Sequence, residues 1–204
     1  FHTSLITHHS SLSRKVTDMD LTLPKEYDLL RQMIRDVMEN EFGPVAEEAD
    51  EKAEVPFDAI KVAGEAGLFG IPFPQEYGGS GAGELGYVIL MEEISRVDSA
   101  MATVVGAHIG IAAMALYVDG SHALKEKYLT PLAQGTKIGA FCLTEAGAGS
   151  DAAGIKTRAV RSNGNWVITG NKIYISNGPF ADLFSVLAVT DRALGARGGV
   201  TAFV

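Results

Sequence analysis

Residues 141–154 read FCLTEAGAGSDAAG, so three glycines and four alanines leave the main chain thinly covered. Thr144, Glu145, Ser150 and Asp151 add small polar groups to the same stretch. Accessible backbone amides beside hydroxyls and carboxylates suit close contact with a flat or phosphorylated cofactor. The stretch therefore predicts a cofactor-binding segment and leaves the kind of cofactor open.

A dinucleotide-binding loop is the first alternative, because residues 147–152 fit the fingerprint G-x-G-x-x-G/A. That fingerprint works only between a strand and a helix whose N-terminus meets the pyrophosphate. A strand can precede it here, but no helix follows. Asn163-Gly164 instead lies between two β-prone segments, which is a strong hairpin signal. The context therefore argues against a Rossmann fold.

Short strands separated by turn signals continue to the end of the chain. They are predicted at about 137–144, 156–161, 165–170, 172–176, 183–190 and from 199 onward. The sequence thus divides into a tail over residues 1–20, a helical domain over 21–136 and a sheet domain over 137–204. Because Val204 lies inside a predicted strand, we expect the chain to be part of a longer protein.

Helical periodicity fills the first domain. Pro24 suits a first helical turn, and apolar residues follow it at spacings of three and four: Tyr27, Leu30, Ile34 and Val37. A break is expected near Gly43-Pro44. A second helix is predicted over residues 57–66, with Gly67 placed to end it.

Ser99–Val118 carries no formal charge and is long enough to span a bilayer. It is built from small residues rather than Leu and Phe, and no basic anchor lies close to its ends. A helix buried within the helical domain is therefore the better interpretation. Ala102, Gly106 and Gly110 form a stripe of small residues along it. The stripe fits either close helix packing or room for the tail of a bound molecule.

Composition excludes some function classes. A net charge of −8 argues against nucleic acid as a partner. The single cysteine, Cys142, rules out an internal disulfide and is expected to be a buried thiol in a reducing compartment. Residues 1–17 contain no acids, so a disordered tail or the end of a mitochondrial presequence remains open. His8-His9 lacks the fixed geometry of a metal site.

Two further patterns favour structural roles. Glu92-Glu93 are adjacent on a predicted helix and do not face each other, so solvated charge is expected rather than an acid–base pair. Tyr77–Gly83 is rich in glycine but is not followed by Lys-Ser/Thr, so a connector is favoured over a phosphate-binding loop.

Four blocks in order then carry a family resemblance over about residues 23–204. Cys142–Gly154 matches the signature of the acyl-CoA dehydrogenases. Pro74–Gly79 resembles the family's P-x-E-Y-G-G loop, and Lys125–Leu129 resembles its K-x-K-Y-L helix. Gly170–Gly178 is similar to its second flavin-binding strand. The residues in these blocks are most similar to those of the long-chain and very-long-chain members.

The resemblance implies a fold and a reaction. It implies an N-terminal all-α domain, an antiparallel β-barrel domain that is incomplete here, and a C-terminal helical bundle beyond this chain. It also implies FAD, oxidation of a fatty acyl-CoA to the trans-2-enoyl-CoA, and electron transfer to an electron-transferring flavoprotein. The family's catalytic glutamate is expected beyond Val204, so no catalytic residue is assigned here. Glu145 is expected to be structural.

The resemblance also implies site residues. The cofactor-binding set is Phe141, Cys142, Leu143, Thr144, Gly149, Ser150, Tyr174, Ile175 and Ser176. In that set the Thr144 hydroxyl and nearby backbone face the pyrimidine edge of the flavin, Tyr174 packs against the ring and Ser176 lies near N5. Strand alternation would place Cys142 and Thr144 on one face, and Tyr174 and Ser176 on another.

Substrate contacts are expected at Ser150, for the CoA moiety, and at Ala102 and Gly106, for the acyl tail. The similarity of the motif sequences to the long-chain and very-long-chain members implies a substrate with a medium-to-long acyl chain. An acyl-CoA oxidase-like flavoprotein and a non-catalytic fragment that does not hold FAD stay open. The family further implies a homodimer or homotetramer, without a transmembrane segment, in a bacterial cytoplasm or a mitochondrial matrix.

Overall fold

The computed structural model describes residues 22–204, so the tail predicted over residues 1–20 lies outside the described part. The helices span Lys25–Val37 (α1), Gly43–Lys52 (α2), Phe57–Glu65 (α3), Gly83–Val97 (α4), Ser99–Gly106 (α5), Met114–Asp119 (α6), His122–Leu124 (α7) and Thr130–Ala133 (α8). Wider π-helical turns at Met38–Phe42, Ala107–Ala113 and Lys125–Leu129 join α1 to α2, α5 to α6 and α7 to α8. These three pairs therefore run as continuous helices.

Local chemistry accounts for the helix ends. Pro24 lies just before the first turn of α1, a position at which proline removes no helical hydrogen bond. Gly67 follows α3 with φ +77°, a conformation that glycine adopts without steric cost. The break expected near Gly43-Pro44 is absent: Pro44, which has no N–H to donate, follows directly after the wider π-helical turn Met38–Phe42, and the helix continues through it.

The helical part encloses one continuous apolar core. Its largest fully buried side chains are Phe42, Phe69, Phe73, Ile34, Met38, Leu68, Ile71, Ile89, Leu90, Ile94, Ile109 and Leu129. The helix over Ser99–Asp119 is long and apolar enough to cross a membrane by length and composition, but half of its apolar window is buried inside the structure. That burial is what a core helix of a helical domain shows.

The second part is a five-stranded sheet formed by Gly139–Cys142 (β1), Arg158–Ser162 (β2), Asn165–Thr169 (β3), Leu183–Val189 (β4) and Val200–Phe203 (β5). The strand order is β1-β4-β2-β3, and β5 also pairs with β4. Asn163 and Gly164 form the predicted β2–β3 turn, both with positive φ. The predicted order of a helical domain followed by a sheet domain is confirmed.

Strand directions differ from the antiparallel pairing that was expected. β2–β3 and β4–β5 are antiparallel, but β4 runs parallel to both β1 and β2. The long connection after β1 returns the chain to the end at which β1 began, so β1 and β4 point the same way. The sheet is therefore mixed.

The strand predicted over residues 172–176 is wrong. This segment is irregular and bends at Tyr174, and Tyr174 and Asn177 have left-handed backbone with φ 55° and 64°. Residues in that conformation interrupt a ladder of strand hydrogen bonds. One backbone hydrogen bond, from Ile173 N to Thr144 O at 2.9 Å, connects it to the segment after β1. We refer to residues 173–178 as the 173–178 loop.

Candidate functional site

A cavity of about 320 Å³ lies where the helical part, the end of β1 and the 173–178 loop meet. Its lining consists of Ala107, Ile111, Phe141, Leu143, Thr144, Tyr174 and Ser176. Five of the nine residues predicted to bind the cofactor therefore come together at one place. Ala107 and Ile111, one helical turn apart, were not in the predicted set and add an apolar wall.

The β1 wall corrects the predicted alternation of faces. Thr144 lines the cavity together with Phe141 and Leu143 rather than sharing a face with Cys142. The reason is that β1 ends at Cys142, so strict alternation does not continue to Thr144. Cys142 is buried and unbonded to another cysteine, and burial raises the pKa of its thiol.

The 173–178 loop presents polar groups to the same cavity. The Tyr174 side chain is 89% exposed, and Ser176 is exposed beside it. Ile175, also in the predicted set, is half-buried between them and does not line the cavity. Within residues 22–204 the hydroxyls of Thr144 and Ser176 have no hydrogen-bond partner, so both are available to a bound molecule.

Gly149 and Ser150 lie away from this cavity. A tight turn precedes them, closed by two backbone hydrogen bonds between Glu145 and Ala148 at 3.0 and 3.1 Å. Both residues are exposed, and a Cβ added at Gly149 would meet open space. The turn leaves Gly147, Gly149 and Ser150 exposed and Ala148 buried, and none of them lines the cavity.

Glu145 organises the motif from inside. Its carboxylate accepts hydrogen bonds from the backbone N–H groups of Lys156 and Thr157, at 2.7 and 2.9 Å, and from Lys172 Nζ at 2.9 Å. Burial acts to raise the pKa of the Glu145 carboxyl, but the hydrogen bonds from Lys172 and from the backbone N–H groups of Lys156 and Thr157 outweigh it and lower the pKa to about 2. An ionised carboxylate with both oxygens engaged is a structural anchor and a poor proton acceptor.

Lys172 extends that anchor to the cavity wall. Besides Glu145, its ammonium donates to Leu143 O at 2.9 Å, and its side chain is only 10% exposed. Together with the Ile173–Thr144 backbone bond, this contact fixes the 173–178 loop against the segment that follows β1. No local sequence pattern indicates this contact, because Glu145 and Leu143 are 27 and 29 positions away from Lys172.

The small-residue stripe on the Ser99–Asp119 helix is covered by α4. A Cβ added to Gly106 would lie 3.1 Å from Met91 Cε, and one added to Gly110 would overlap the Tyr87 hydroxyl. Ala102 is 6% exposed and belongs to the apolar core. Of the two alternatives left open by the sequence, close packing between helices is the one whose contacts are present.

Glu93 corrects the expectation of solvated charge at Glu92-Glu93. Glu92 is 60% exposed, but Glu93 is 1% exposed and forms ion pairs with three guanidinium groups, those of Arg31, Arg35 and Arg96. The hydrogen bond from Arg35 leads the contributions that lower the pKa of Glu93 to about 2, against the opposing effect of burial. The cluster joins α1 to α4 and lies apart from the cavity.

The cavity combines an apolar lining with a few polar groups. Phe141, Leu143 and Ile111 offer apolar contact, Tyr174 offers an exposed ring, and Thr144 and Ser176 offer unengaged hydroxyls. This combination of a mostly apolar lining with a few placed polar groups is typical of cofactor sites. Across the described range 22–204, no cluster of His, Cys, Asp and Glu has the geometry of a metal site.

Family models match nearly the whole described chain. Residues 24–136 match "Acyl-CoA dehydrogenase, N-terminal domain", and residues 140–204 match "Acyl-CoA dehydrogenase, middle domain". A curated relative, the short-chain specific acyl-CoA dehydrogenase of Clostridium acetobutylicum, is 44% identical over 91% of this chain and 49% of its own length.

Solved structures agree in fold. A chain from a structure of the electron transferring flavoprotein of Acidaminococcus fermentans has a TM-score of 0.87 and 38% identity, covering 91% of this chain and 48% of that one. A glutaryl-CoA dehydrogenase from Mycobacterium smegmatis in complex with FADH2 has a TM-score of 0.81 and 31% identity, with coverages of 91% and 46%. The chain thus spans about half the length of the relatives it matches.

Proposed function

Since the chain belongs to the acyl-CoA dehydrogenase family, we propose that it forms the flavin-facing part of an enzyme that oxidises an acyl-CoA thioester to the trans-2-enoyl-CoA. The observation that carries the proposal is the cavity beside the 141–154 motif, which gathers Phe141, Leu143, Thr144, Tyr174 and Ser176. The cofactor that fits the family and this lining is FAD, which supplies the acceptor for the hydride leaving the β-carbon.

The residues of this chain would bind and orient. Thr144 and Ser176 hold unengaged hydroxyls at the cavity, where donors stabilise negative charge that develops at the edge of a reduced flavin. Tyr174 offers its ring as a packing surface. Cys142, Ile175, Gly149 and Ser150 do not line this cavity, so their proposed cofactor contacts rest on the family resemblance.

Proton abstraction is not assigned to this chain. Glu145 is ionised, and its carboxylate is occupied by two backbone N–H groups and Lys172. A catalytic base must reach the substrate proton with a free oxygen. That the base glutamate lies beyond Val204 stays a prediction, as does inactivity of the 204 residues alone.

The motif sequences and the helix packing support different acyl chain lengths. The motifs favour a medium-to-long chain, but Met91 and Tyr87 cover the Gly106 and Gly110 stripe that was to give a long tail room. The curated relative from Clostridium acetobutylicum is short-chain specific. We therefore propose a short acyl chain, with Ser150 at the CoA moiety. Faster oxidation of palmitoyl-CoA than of butyryl-CoA by the whole enzyme would restore the first expectation.

Electron transfer and assembly follow the same reasoning. The similarity to a chain from an electron transferring flavoprotein structure supports such a flavoprotein as electron acceptor, and the family supports a homodimer or homotetramer. Reduction of that acceptor, without oxygen uptake, would exclude the oxidase alternative. The compartment follows the source, a bacterial cytoplasm or a mitochondrial matrix.

The test of the cofactor site is FAD binding measured by flavin fluorescence. A Thr144→Ala/Ser176→Ala variant should weaken FAD binding about thirtyfold, since each of the two lost hydrogen bonds contributes about 1 kcal/mol. Ser162→Ala/Thr169→Ala is the matched control, because it removes the same two hydroxyl types from the exposed β2–β3 hairpin. Failure of the unsubstituted protein to bind FAD would overturn the proposal and favour the non-catalytic alternative.

A further inference from the structure

The cavity has three walls that come from distant parts of the chain. The helical segment Ala107–Ala113 supplies Ala107 and Ile111, and the 173–178 loop supplies Tyr174 and Ser176. The segment that begins in β1 supplies Phe141, Leu143 and Thr144. Lys172 and Glu145 join the last two of these walls. A second set of contacts, centred on Gly139, joins all three.

Gly139 lies on the unpaired side of an edge strand. β1 is at one end of the strand order, and Leu183 N donates to Ile138 O at 3.1 Å, so the peptide groups of Ile138 face β4. Because successive residues of a strand turn their peptide groups to opposite sides, those of Gly139 face away from β4. Buried there without partners, its N–H and C=O would each carry a desolvation cost.

Two buried side chains supply those partners. His108 Nδ1 accepts a hydrogen bond from Gly139 N at 3.0 Å. The Asn177 side-chain amide donates to Gly139 O at 3.2 Å and to Val104 O at 2.9 Å. His108 and Val104 belong to the helix, and Asn177 belongs to the 173–178 loop. Gly139 is therefore the point at which helix, strand and loop are bonded to one another.

The arrangement allows little adjustment. His108 Nε2 lies 3.1 Å from Leu132 O, which only accepts, so Nε2 carries the proton and Nδ1 is the acceptor for Gly139. A Cβ added to Gly139 would lie 2.9 Å from the Ala112 methyl group, so the strand approaches the helix as closely as a glycine permits. Asn177 holds a left-handed φ of 64°, which asparagine tolerates better than most residues.

We propose that Asn177 and His108 are positioning residues that hold the three walls of the cavity in register through the peptide groups of Gly139. The inference rests on the proposed function for its ligand, FAD, but its geometry does not depend on that ligand. Asn177 is adjacent to Ser176, and His108 is adjacent to Ala107, so each positioning residue is next to a residue of the lining. Loss of either contact would let a wall shift while the chain stays folded.

The test compares two asparagines with similar backbone. Asn177→Asp keeps the shape and the tolerance of left-handed φ, but it cannot donate to the two carbonyls. Asn163→Asp is the matched control, because Asn163 also has positive φ, 52°, and is exposed in the β2–β3 turn. Asn177→Gly is the second variant, which keeps the backbone conformation and removes the amide without introducing a charge.

The first readout is amide hydrogen exchange in the protein without added FAD. Asn177→Asp and Asn177→Gly should speed exchange together in residues 104–111, 139–144 and 173–178, and Asn163→Asp should leave all three unchanged. Faster exchange confined to the 173–178 loop would overturn the inference, because the other two walls would then be held independently. This readout stands even if the protein binds no FAD, so it separates failure of the inference from failure of the proposed function.

The second readout is the bound flavin. Both Asn177 variants should weaken FAD binding at least tenfold and change the visible circular dichroism and the reduction potential of the flavin that remains bound. A merely structural role would lower the unfolding temperature and leave that spectrum and potential unchanged, which would contradict positioning. Gly139→Ala should reproduce the exchange pattern of the Asn177 variants, because its Cβ would displace β1 from Ala112.

Discussion

The helical part and the sheet part each bury one glutamate, and the two glutamates are used differently. Glu93 faces three guanidinium groups whose side chains are 27%, 39% and 45% exposed, so the cluster is a seam between α1 and α4 that reaches water. Glu145 faces an ammonium that is 10% exposed and two backbone N–H groups. Glu93 neutralises the positive charge between two helices. Glu145 instead accepts hydrogen bonds from backbone N–H groups that have no partner in a neighbouring strand.

Apolar side chains are also buried more completely in the helical part than in the sheet part. The largest fully buried side chains all lie in the helical part, whereas every residue of β3 is exposed, and Val160, Trp166, Val167 and Ile168 are between 38% and 49% exposed. A helix satisfies its own backbone, so its side chains are free to form the core. The sheet part and its loops depend more on particular polar contacts. Stability in the sheet part should therefore be concentrated in a few residues.

The largest expected effect is at Glu145. Glu145→Ala leaves the buried Lys172 ammonium without its carboxylate partner and two backbone N–H groups unpaired, which should lower the free energy of unfolding by about 3–5 kcal/mol. Urea unfolding followed by circular dichroism measures it. Glu92→Ala, at a glutamate 60% exposed, is the control and should change stability by less than about 0.5 kcal/mol. A cost near that of the control would remove the proposed contrast.

Acidification should have the next largest effect on stability, through protonation of His108 at the boundary between the two parts. Burial lowers the pKa of His108 from 6.5 to about 4, so the neutral ring is favoured in the folded state. Stability is then complete above pH 6.5 and falls as pH drops from 6.5 towards 4, by roughly 2–3 kcal/mol. The two buried glutamates, with pKa values near 2, contribute losses only below about pH 4.5.

Unfolding midpoints measured across that window check the His108 contribution. His108→Gln should start less stable and show a flatter pH dependence between pH 6.5 and 4.5. His122→Gln, at a side chain 70% exposed, controls for the substitution itself. An unchanged slope in His108→Gln would assign the acid sensitivity to another group.

A smaller effect is expected at Glu93. Glu93→Ala removes the shared partner of Arg31, Arg35 and Arg96, but these side chains are exposed enough to regain water. The cost should be about 1–2 kcal/mol, below that of Glu145→Ala. Raising the salt concentration should narrow the difference between Glu93→Ala and the unsubstituted protein. Equal costs at the two glutamates would show that exposure of the partner does not set the penalty.

The smallest effect separates the two parts by apolar burial alone. Ile109→Val deletes one methylene from a side chain that is 0% exposed and should cost about 0.5–1.5 kcal/mol. Ile168→Val makes the same deletion at a side chain 38% exposed in β3 and should cost less than about 0.5 kcal/mol. Thermal unfolding of the pair provides the comparison, and equal shifts would contradict a closed core in the helical part only.

Much of the fold was predictable from local patterns. The helix after Pro24, the glycine that ends α3 and the Asn163-Gly164 hairpin depend on residues close together in sequence, and the structure has all three. The strand over 172–176 failed because alternation of Ile and polar residues also fits a turn segment held by tertiary contacts. Glu93 was misjudged because its arginine partners on α1 are 58 and 62 positions away.

The sequence by itself determined the class of protein and the location of the motif. Glycine spacing, hairpin signals and ordered motif blocks are local patterns that depend only on residues close together in the chain. It also identified Thr144, Tyr174 and Ser176 as candidates. Only the tertiary structure decided that these three share one cavity and that Glu145 is paired with Lys172. It also decided that the Asn177 side chain donates a hydrogen bond to a helix carbonyl 73 positions away. The physical reason is that buried polar groups must find partners wherever the fold brings them, and sequence proximity does not record that choice.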